Sequence, residues 1–397
     1  MTKKVYMDHN ATTPVDPEVL EAMLPYLKDC YGNASSVHEW GKEARYGVEK
    51  ARMQLGELLG VSESTLTFTS CGSESNNTIL RSVASRFAGQ GCHIIASAIE
   101  HPCIYRCLED LENQAEVEVS WIEPDGNGVI HPDRIAEEIR MDTRLVSIML
   151  ANNETGVIQP IQKIAQMAHE KGIKVHSDTV QGVGKIPVDL EELGVDFATF
   201  SAHKLYGPKG IGAFYARDRS WITPMILGGG QENRLRAGTE SVPMIVAFGA
   251  AAEKSKRVHQ EEAELLVAMR DDLEKRLLES IPEALVCGKE AARLPGTLCV
   301  CFPGIMGTYL VLDMAEEGIA ISSGSACSAN QSKPSHVLIA MGIDSELARG
   351  AVRLSLGRAN SPEQIEEVAN TALRLIQNQK EHPPEEETEL DLLSLCD

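Results

Sequence analysis

IKVHSDTVQGVGKIPVDLEELGVDFATFSAHKLYGPKG, residues 173–210, is the stretch on which the fold turns. It holds two β-rich runs, IKVHSD (173–178) and DFATFSA (196–202), each followed at once by a polar cluster. Near-continuous apolar strands alternating with helical segments belong to a mainly parallel sheet covered by helices on both faces. In an open parallel sheet, ligands sit beyond the strand ends. HSDTVQ (176–181) and SAHKLYGPKG (201–210) occupy such ends, which makes Asp178 and Lys204 the first candidates for chemistry.

The alternation extends outward from about residue 60 to 215, with further strands at TLTFTS (65–70), CHIIASA (92–98) and LVSIMLA (145–151). Ile161, Ile164, Ala165 and Ala168 recur at helical spacing before Gly172, a suitable C-terminal cap. Beyond Glu261 a long amphipathic pattern (Leu266, Met269, Leu273, Leu277) leads into shorter strands, LCVCF, GIAISSG and AVRLSL, and this change marks a second domain. The last regular element starts SPEQIEEV (361–368): Ser361 caps it, Pro362 takes the first position and Gln364 completes a capping box. Ile365, Val368, Ala372 and Ile376 form its buried stripe. Residues 381–397 carry seven acidic side chains and no Lys or Arg, so self-repulsion predicts a flexible tail.

A chain of 397 residues is long enough for two cores. Its 37 basic residues face 58 acidic ones, and the net charge of −21 disfavours nucleic acid and anionic membrane as partners. The start lacks the apolar stretch of a signal peptide, and no apolar run is long enough to span a bilayer. Ten irregularly spaced cysteines then read as reduced thiols of the cytoplasm. Cys103 and Cys107 follow His101, and Cys299 and Cys301 alternate in LCVCF; neither spacing is CxxC, and the second pair reads as small hydrophobes on a half-buried strand, so no metal site is expected.

Lys204 precedes the turn GPKG (207–210) and should project from a tight corner. An ordinary lysine is protonated, with a pKa of about 10.4, and becomes a nucleophile only through desolvation or nearby cations. Taken alone it is a solvated charge. Asp178 ends a hydrophobic strand, and a buried carboxylate needs a cationic partner, which a protonated pyridine ring supplies. Gly72 and Ser73 open a helix after the strand TLTFTS, where free N–H groups and the helix dipole favour a phosphate. Ser201 and His203 add donors; alone, this helix start is an ordinary cap. In SSGSACSAN, Cys327 lies among small polar residues that neither pack a core nor form a stable element, so it should be exposed and mobile.

SxHKxxGPKG, the Asp-x-x-Gln of SDTVQ and the surroundings of Cys327 together resemble the cysteine desulfurases, pyridoxal-phosphate (PLP) enzymes of fold type I. The resemblance runs through DHNATTP (8–14), YGNASSVH (31–38), FTSCGSESNN (68–77), EHP (100–102), NNETG (152–156), GGGQE (228–232), RAGT (236–239), SSGSACS (322–328) and RLSLGR (353–358), leaving only the tail outside. It implies an α/β fold type I transferase: a large domain with a mainly parallel seven-stranded sheet (16–260) and a smaller α/β domain carrying the Cys327 loop (261–380). Residues 1–15 would join the small domain, and 381–397 would be tail.

By the same resemblance Lys204 holds the cofactor, Asp178 pairs with the pyridine nitrogen and His101 stacks on the ring. Asn153 and Gln181 bond the ring hydroxyl side, Gly72, Ser73, Ser201 and His203 hold the phosphate, and Thr239 reaches the phosphate of a partner subunit, which implies a homodimer with composite sites. Arg353 and Asn33 would hold the carboxylate of L-cysteine; in AVRLSL the arginine points away from the apolar face. Lys204 would move the α-proton, His101 protons at sulfur, and Cys327 would take the sulfur as a persulfide, leaving alanine. The loop resembles the NifS/IscS-like group. A selenocysteine lyase or an amino-acid epimerase would keep Lys204 and Asp178 but needs no mobile thiol. The acceptor stays open among an iron–sulfur scaffold, a tRNA-thiolation carrier and a nitrogenase-type partner.

Overall fold

The computed structural model of the chain describes residues 4–323 and 334–382. Cys327 and the flexible tail expected beyond Glu381 therefore lie, wholly or nearly so, outside the described residues.

The large sheet has seven strands in the order Leu66–Thr69, Gly212–Ala216, Phe197–Ser201, Lys174–Asp178, Thr143–Ser147, His93–Ser97, Glu118–Ile122. Only Gly212–Ala216 runs against the others, pairing antiparallel with both neighbours. The inner strands are buried almost throughout, which is why they read as unbroken apolar runs, whereas the edge strand Glu118–Ile122 is partly exposed. Ile161–Glu170 is a helix with Ile161, Ile164, Ala165 and Ala168 inward. Gly172 follows at φ +73°, a left-handed corner that glycine enters without steric cost, and the chain drops straight into Lys174–Asp178.

A four-stranded sheet, in the order Ser322–Ser323, Ala351–Ser355, Thr297–Cys301, Leu285–Val286, forms the second layer. Its two faces belong to different cores. Leu298, Val300, Val352 and Leu354 pack with Leu273, Leu277 and the stripe Ile365, Val368, Ala372, Ile376, while Cys299, Cys301 and Ala351 pack with the large-sheet core. LCVCF is thus buried on both sides, not half-buried, because its second face closes onto the large sheet. A third buried thiol joins the pair: Cys287 Sγ lies 3.5 Å from Cys301 Sγ.

One helix, Val242–Ser280, serves both cores, with Val242 to Ala252 in the first and Leu273 and Leu277 in the second. Residue 261 therefore falls inside a continuous helix and not in a linker. The helix Pro362–Glu381 carries the capping box of Ser361 and Gln364. The N-terminal segment crosses between the layers: Val5–Tyr6 pairs in parallel with Ile319–Ala320, and Asp8 bridges to Ser355. Among the described residues no helix is long and apolar enough to cross a membrane.

Candidate active site

Five strands of the large sheet deliver their carboxyl ends to one place. Thr69 leads to Gly72, Ser97 to His101, Ser147 to Asn153, and the two remaining strands end at Asp178 and Ser201. Lys204 closes a short turn, Ala202–Lys204, after Ser201. Its Nζ donates to the carbonyls of Asn10, at 2.5 Å, and Ala11, at 2.7 Å. The segment DHNATTP is therefore a strap lying on the lysine. Thr12 Oγ1 meets His203 Nδ1 at 3.1 Å, and Thr13 N donates to the His203 carbonyl at 2.9 Å. Tyr206 just beyond takes φ +64°, a conformation that costs a bulky residue energy and persists here because its N–H reaches Thr13 Oγ1 and its hydroxyl accepts from Arg358 N.

Asp178 is 7% exposed. Its carboxylate accepts from Asn76 Nδ2 at 2.8 Å and Val180 N at 2.9 Å, and among the described residues no cationic side chain forms an ion pair with it. Thr199 Oγ1 donates to Asn76 Oδ1 at 2.8 Å, so the amide must turn its nitrogen toward the carboxylate. Across from this pair, His101 caps the helix Pro102–Asn113, its Nδ1 accepting from Cys103 N at 3.2 Å. Burial pushes the imidazole below its ordinary pKa, against the pull of Asp178, so the neutral ring carries its proton on Nε2.

A Cβ on Gly72 would lie 3.0 Å from Val180 Cγ2 and 3.8 Å from Ser201 Cβ, so the helix Gly72–Arg86 begins against the ends of the two central strands with no room for a side chain. Cys71 gives this helix no side-chain cap, leaving its first N–H groups for an anion. His203 is held neutral, its pKa down to about 4 through burial and the neighbouring lysines 204, 209 and 185. Cys103 sits close by, with Asn76 Nδ2 3.2 Å from its Sγ, and burial pushes this thiol up to about 12. It is inert where Cys327 is expected to react.

Arg353 is 1% exposed and points out of the small sheet toward the site, as the strand pattern indicates. Its guanidinium donates to Asp8 Oδ1 at 2.7 Å and to the Asn153 carbonyl at 2.9 Å, with Nε unpartnered. A substrate carboxylate at Arg353 would meet this ion pair, which sequence reasoning missed. Gln181 Nε2 donates to the Asn10 carbonyl at 3.0 Å. Asn33 lies on the exposed surface, its Oδ1 accepting from Ser35 N, and no hydrogen bond joins it to Arg353 among the described residues.

Thr239 is exposed in the loop that carries GGGQE and RAGT. Glu232, Asn233 and Arg234 all take positive φ there, and the strain is held by the buried pair Arg52–Glu232, at 2.7 Å. Arg236 pairs with Glu74 at 3.0 Å, which ties the loop to the first turn of the helix Gly72–Arg86 of its own chain.

Two buried carboxyls behind the site were not singled out from sequence. Glu100, beside His101, is pushed up to about 8 by burial; Glu154 of NNETG is pushed up to about 7 and meets Ser335 Oγ at 2.5 Å. Ser335 and His336, whose Nε2 pairs with the Glu100 carbonyl at 3.2 Å, anchor the far end of the segment carrying Cys327. Because the raised Glu154 binds its proton more tightly folded than unfolded, it contributes stability at low pH that is lost as pH rises from 4.5 through about 7. Glu154→Gln should flatten the fall of Tm across that window, leaving the part due to Glu100; an unchanged profile of Tm against pH would mean that Glu154 is not protonated in the fold.

The family model described as aminotransferase class-V matches residues 5–368. Among curated proteins, the chain is 41% identical to a cysteine desulfurase IscS of Dictyoglomus turgidum over 377 residues, 95% of each chain. It is 41% identical to one of Methanosarcina thermophila over 382 residues, 96% of this chain and 94% of the other. Among solved structures, a NifS-like protein superposes with a TM-score of 0.89 at 39% identity, covering 94% of this chain and all of the other. A structure titled "SspA in complex with cysteine" does so with 0.79 at 35%, covering 89% and 99%.

Proposed function

The chain belongs to the aminotransferase class-V family, among its pyridoxal-phosphate-dependent cysteine desulfurases, and from that premise we propose how its own residues carry sulfur from L-cysteine to Cys327. The observation that bears most weight is the buried carboxylate of Asp178, held by Asn76 and Val180 and electrostatically linked to His101. A protonated ring nitrogen would pair with that carboxylate, a phosphate would suit the helix start, and Lys204 is the amine on the carbonyl strap.

Pyridoxal phosphate, when bound, links to an amine and draws electrons from the bonds of an attached amino acid. Asp178 would keep the ring nitrogen protonated, Gly72, Ser73, Ser201 and His203 would hold the phosphate, and Asn153 and Gln181 would serve the ring hydroxyl side. Arg353, helped by Asn33, orients the carboxylate of L-cysteine, exchanging part of its bond to Asp8 for the substrate. Lys204 Nζ takes the α-proton and His101 Nε2 serves the sulfur. The Cys327 thiolate attacks that sulfur: the carbon–sulfur bond breaks, a sulfur–sulfur bond forms, and the carbon takes a proton to become the methyl of alanine.

The persulfide on Cys327 then goes to an acceptor protein, and the IscS name of the relatives favours an iron–sulfur scaffold. A cytoplasmic setting is consistent with the eight described cysteines, all free thiols. Incubating the purified protein with L-cysteine should yield equimolar alanine, with a 32-dalton gain on the peptide of Cys327 by mass; a chain that makes no alanine would reject the reading.

The loop of Thr239 also presents Met225, Ile226 and Leu227 to solvent, the last 82% exposed, an apolar edge suited to a second copy of the chain. If Thr239 completes the partner's phosphate site, Thr239→Asp and Lys204→Ala should each be inactive alone and regain activity when mixed. Each mixed dimer then holds one fully native site, and no recovery after subunit exchange would exclude a composite site.

A further inference from the structure

Lys185 lies in the turn after Gln181 and takes no part in the chemistry above. Its Nζ donates to Gln181 Oε1 at 2.6 Å and to Asn10 Oδ1 at 2.8 Å, and among the described residues no carboxylate pairs with it. A lysine withdrawn from water without an acidic partner is costly, and such groups persist where their position is used.

Both of its contacts lead to Lys204. Asn10 is 3% exposed and engaged at every polar atom. Its N–H donates to Ser355 Oγ at 2.9 Å, and its Nδ2 to Thr297 Oγ1 at 2.9 Å and the Asn153 carbonyl at 3.2 Å. Its carbonyl accepts from Gln181 Nε2 and from Lys204 Nζ. The Asn153 carbonyl accepts Arg353 as well. Asn10 is therefore the hub between the lysine end and the arginine end of the site, and Lys185 is the amine that holds its amide oxygen.

Lys185 Nζ donates to both amide oxygens, so Asn10 and Gln181 keep those oxygens turned toward it. The nitrogen of Asn10 then faces Asn153 and Thr297. The nitrogen of Gln181 faces the Asn10 carbonyl.

We infer, on the basis of the reading above, that Lys185 is a positioning residue: it clamps Asn10 and Gln181 so that the Lys204 amine rests on the Asn10 carbonyl. The other charged and titratable groups around the two lysines reinforce this arrangement. Arg353 adds a cation already matched to Asp8, while His9 and His203 are both held neutral, near pKa 4, by burial and neighbouring cations. Burial first, then Lys204 and Arg353, push Lys185 well below its ordinary value. Its hold on the two amide oxygens needs only the two hydrogens of a neutral amine.

The test compares the cofactor-free native protein with Lys185→Met, Lys185→Gln and Lys185→Arg. An amine-acylating reagent is applied over a range of pH, and Lys204 labelling is read by peptide mass. Loss of the clamp in the Met and Gln variants should let the Asn10 carbonyl turn from the Lys204 amine, lowering the Lys204 labelling midpoint by about half a pH unit or more, and Arg should restore it. In the loaded enzyme the pH midpoint of the cofactor's absorption band should move in the Met variant and return in the Arg variant. Unmoved midpoints with a lowered Tm would overturn the proposal and leave Lys185 a packing residue. If Met does not fold, the Gln variant decides alone. Failure of the native protein to make alanine would instead strike the desulfurase reading, since the labelling comparison needs no turnover.

Discussion

Lys204→Ala should fold, hold no cofactor through borohydride reduction, and make alanine from cysteine slower by on the order of 10⁴-fold or more. The same amine has two tasks, covalent anchorage and movement of the α-proton, so one truncation removes both. Folding should survive because the side chain is only half-buried and its hydrogen bonds go to two backbone carbonyls. The Asn10 carbonyl keeps Gln181 as a donor after the lysine is gone, and Thr13 still bonds the His203 carbonyl, so the strap stays in place. Mass spectrometry after reduction reads the anchorage, and Tm reads the fold. A reduced adduct persisting on another lysine of the Ala variant, together with native turnover, would reject the assignment.

Cys327→Ala should do the reverse: keep the cofactor's native absorption and its reduced adduct on Lys204, yet lose persulfide formation by on the order of 10³-fold or more. Cys327 itself lies outside the described residues, but the chain on either side of it arrives at the site. Ser322 pairs with Arg353 on one side, and on the other Ser335 bonds Glu154 while His336 bonds the carbonyl beside His101. The remaining thiols are poor substitutes. Burial raises Cys92 and Cys107 to about 11 and Cys103 to about 12, so thiolate is scarce near neutral pH even where a cysteine sits close to the cofactor position. A variant that still loads sulfur at native rate would show that another nucleophile does the work.

HSDTVQ and SAHKLYGPKG were legible as strand ends because each follows an apolar run, and FTSCGSESNN was legible as a helix start for the same local reason. The motifs also contained more than was read from them. Asn76 sits one turn into the SESNN helix, on the face that carries Gly72, and that spacing was the available signal for its bond to Asp178. Glu100 and Glu154 lie inside EHP and NNETG, but only their complete burial makes them proton-holding groups. Nothing local announced Asp8 as the partner of Arg353 or Asn10 as the rest for Lys204. These pairs lie 345 and 194 positions apart.

What the chain's order of residues settled alone was the alternation of buried strands and covering helices, and with it the edge of the sheet where polar side chains collect. Apolar periodicity is a property of neighbours and survives without knowledge of the rest. The packing of one layer on the other decided which of those polar groups share a bond: the strap on Lys204, the hold of Lys185 on Asn10 and Gln181, and the bond of Asn76 to Asp178. Hydrogen bonds require donor and acceptor within about 3 Å, and for residues far apart in the chain only the closed fold sets that distance.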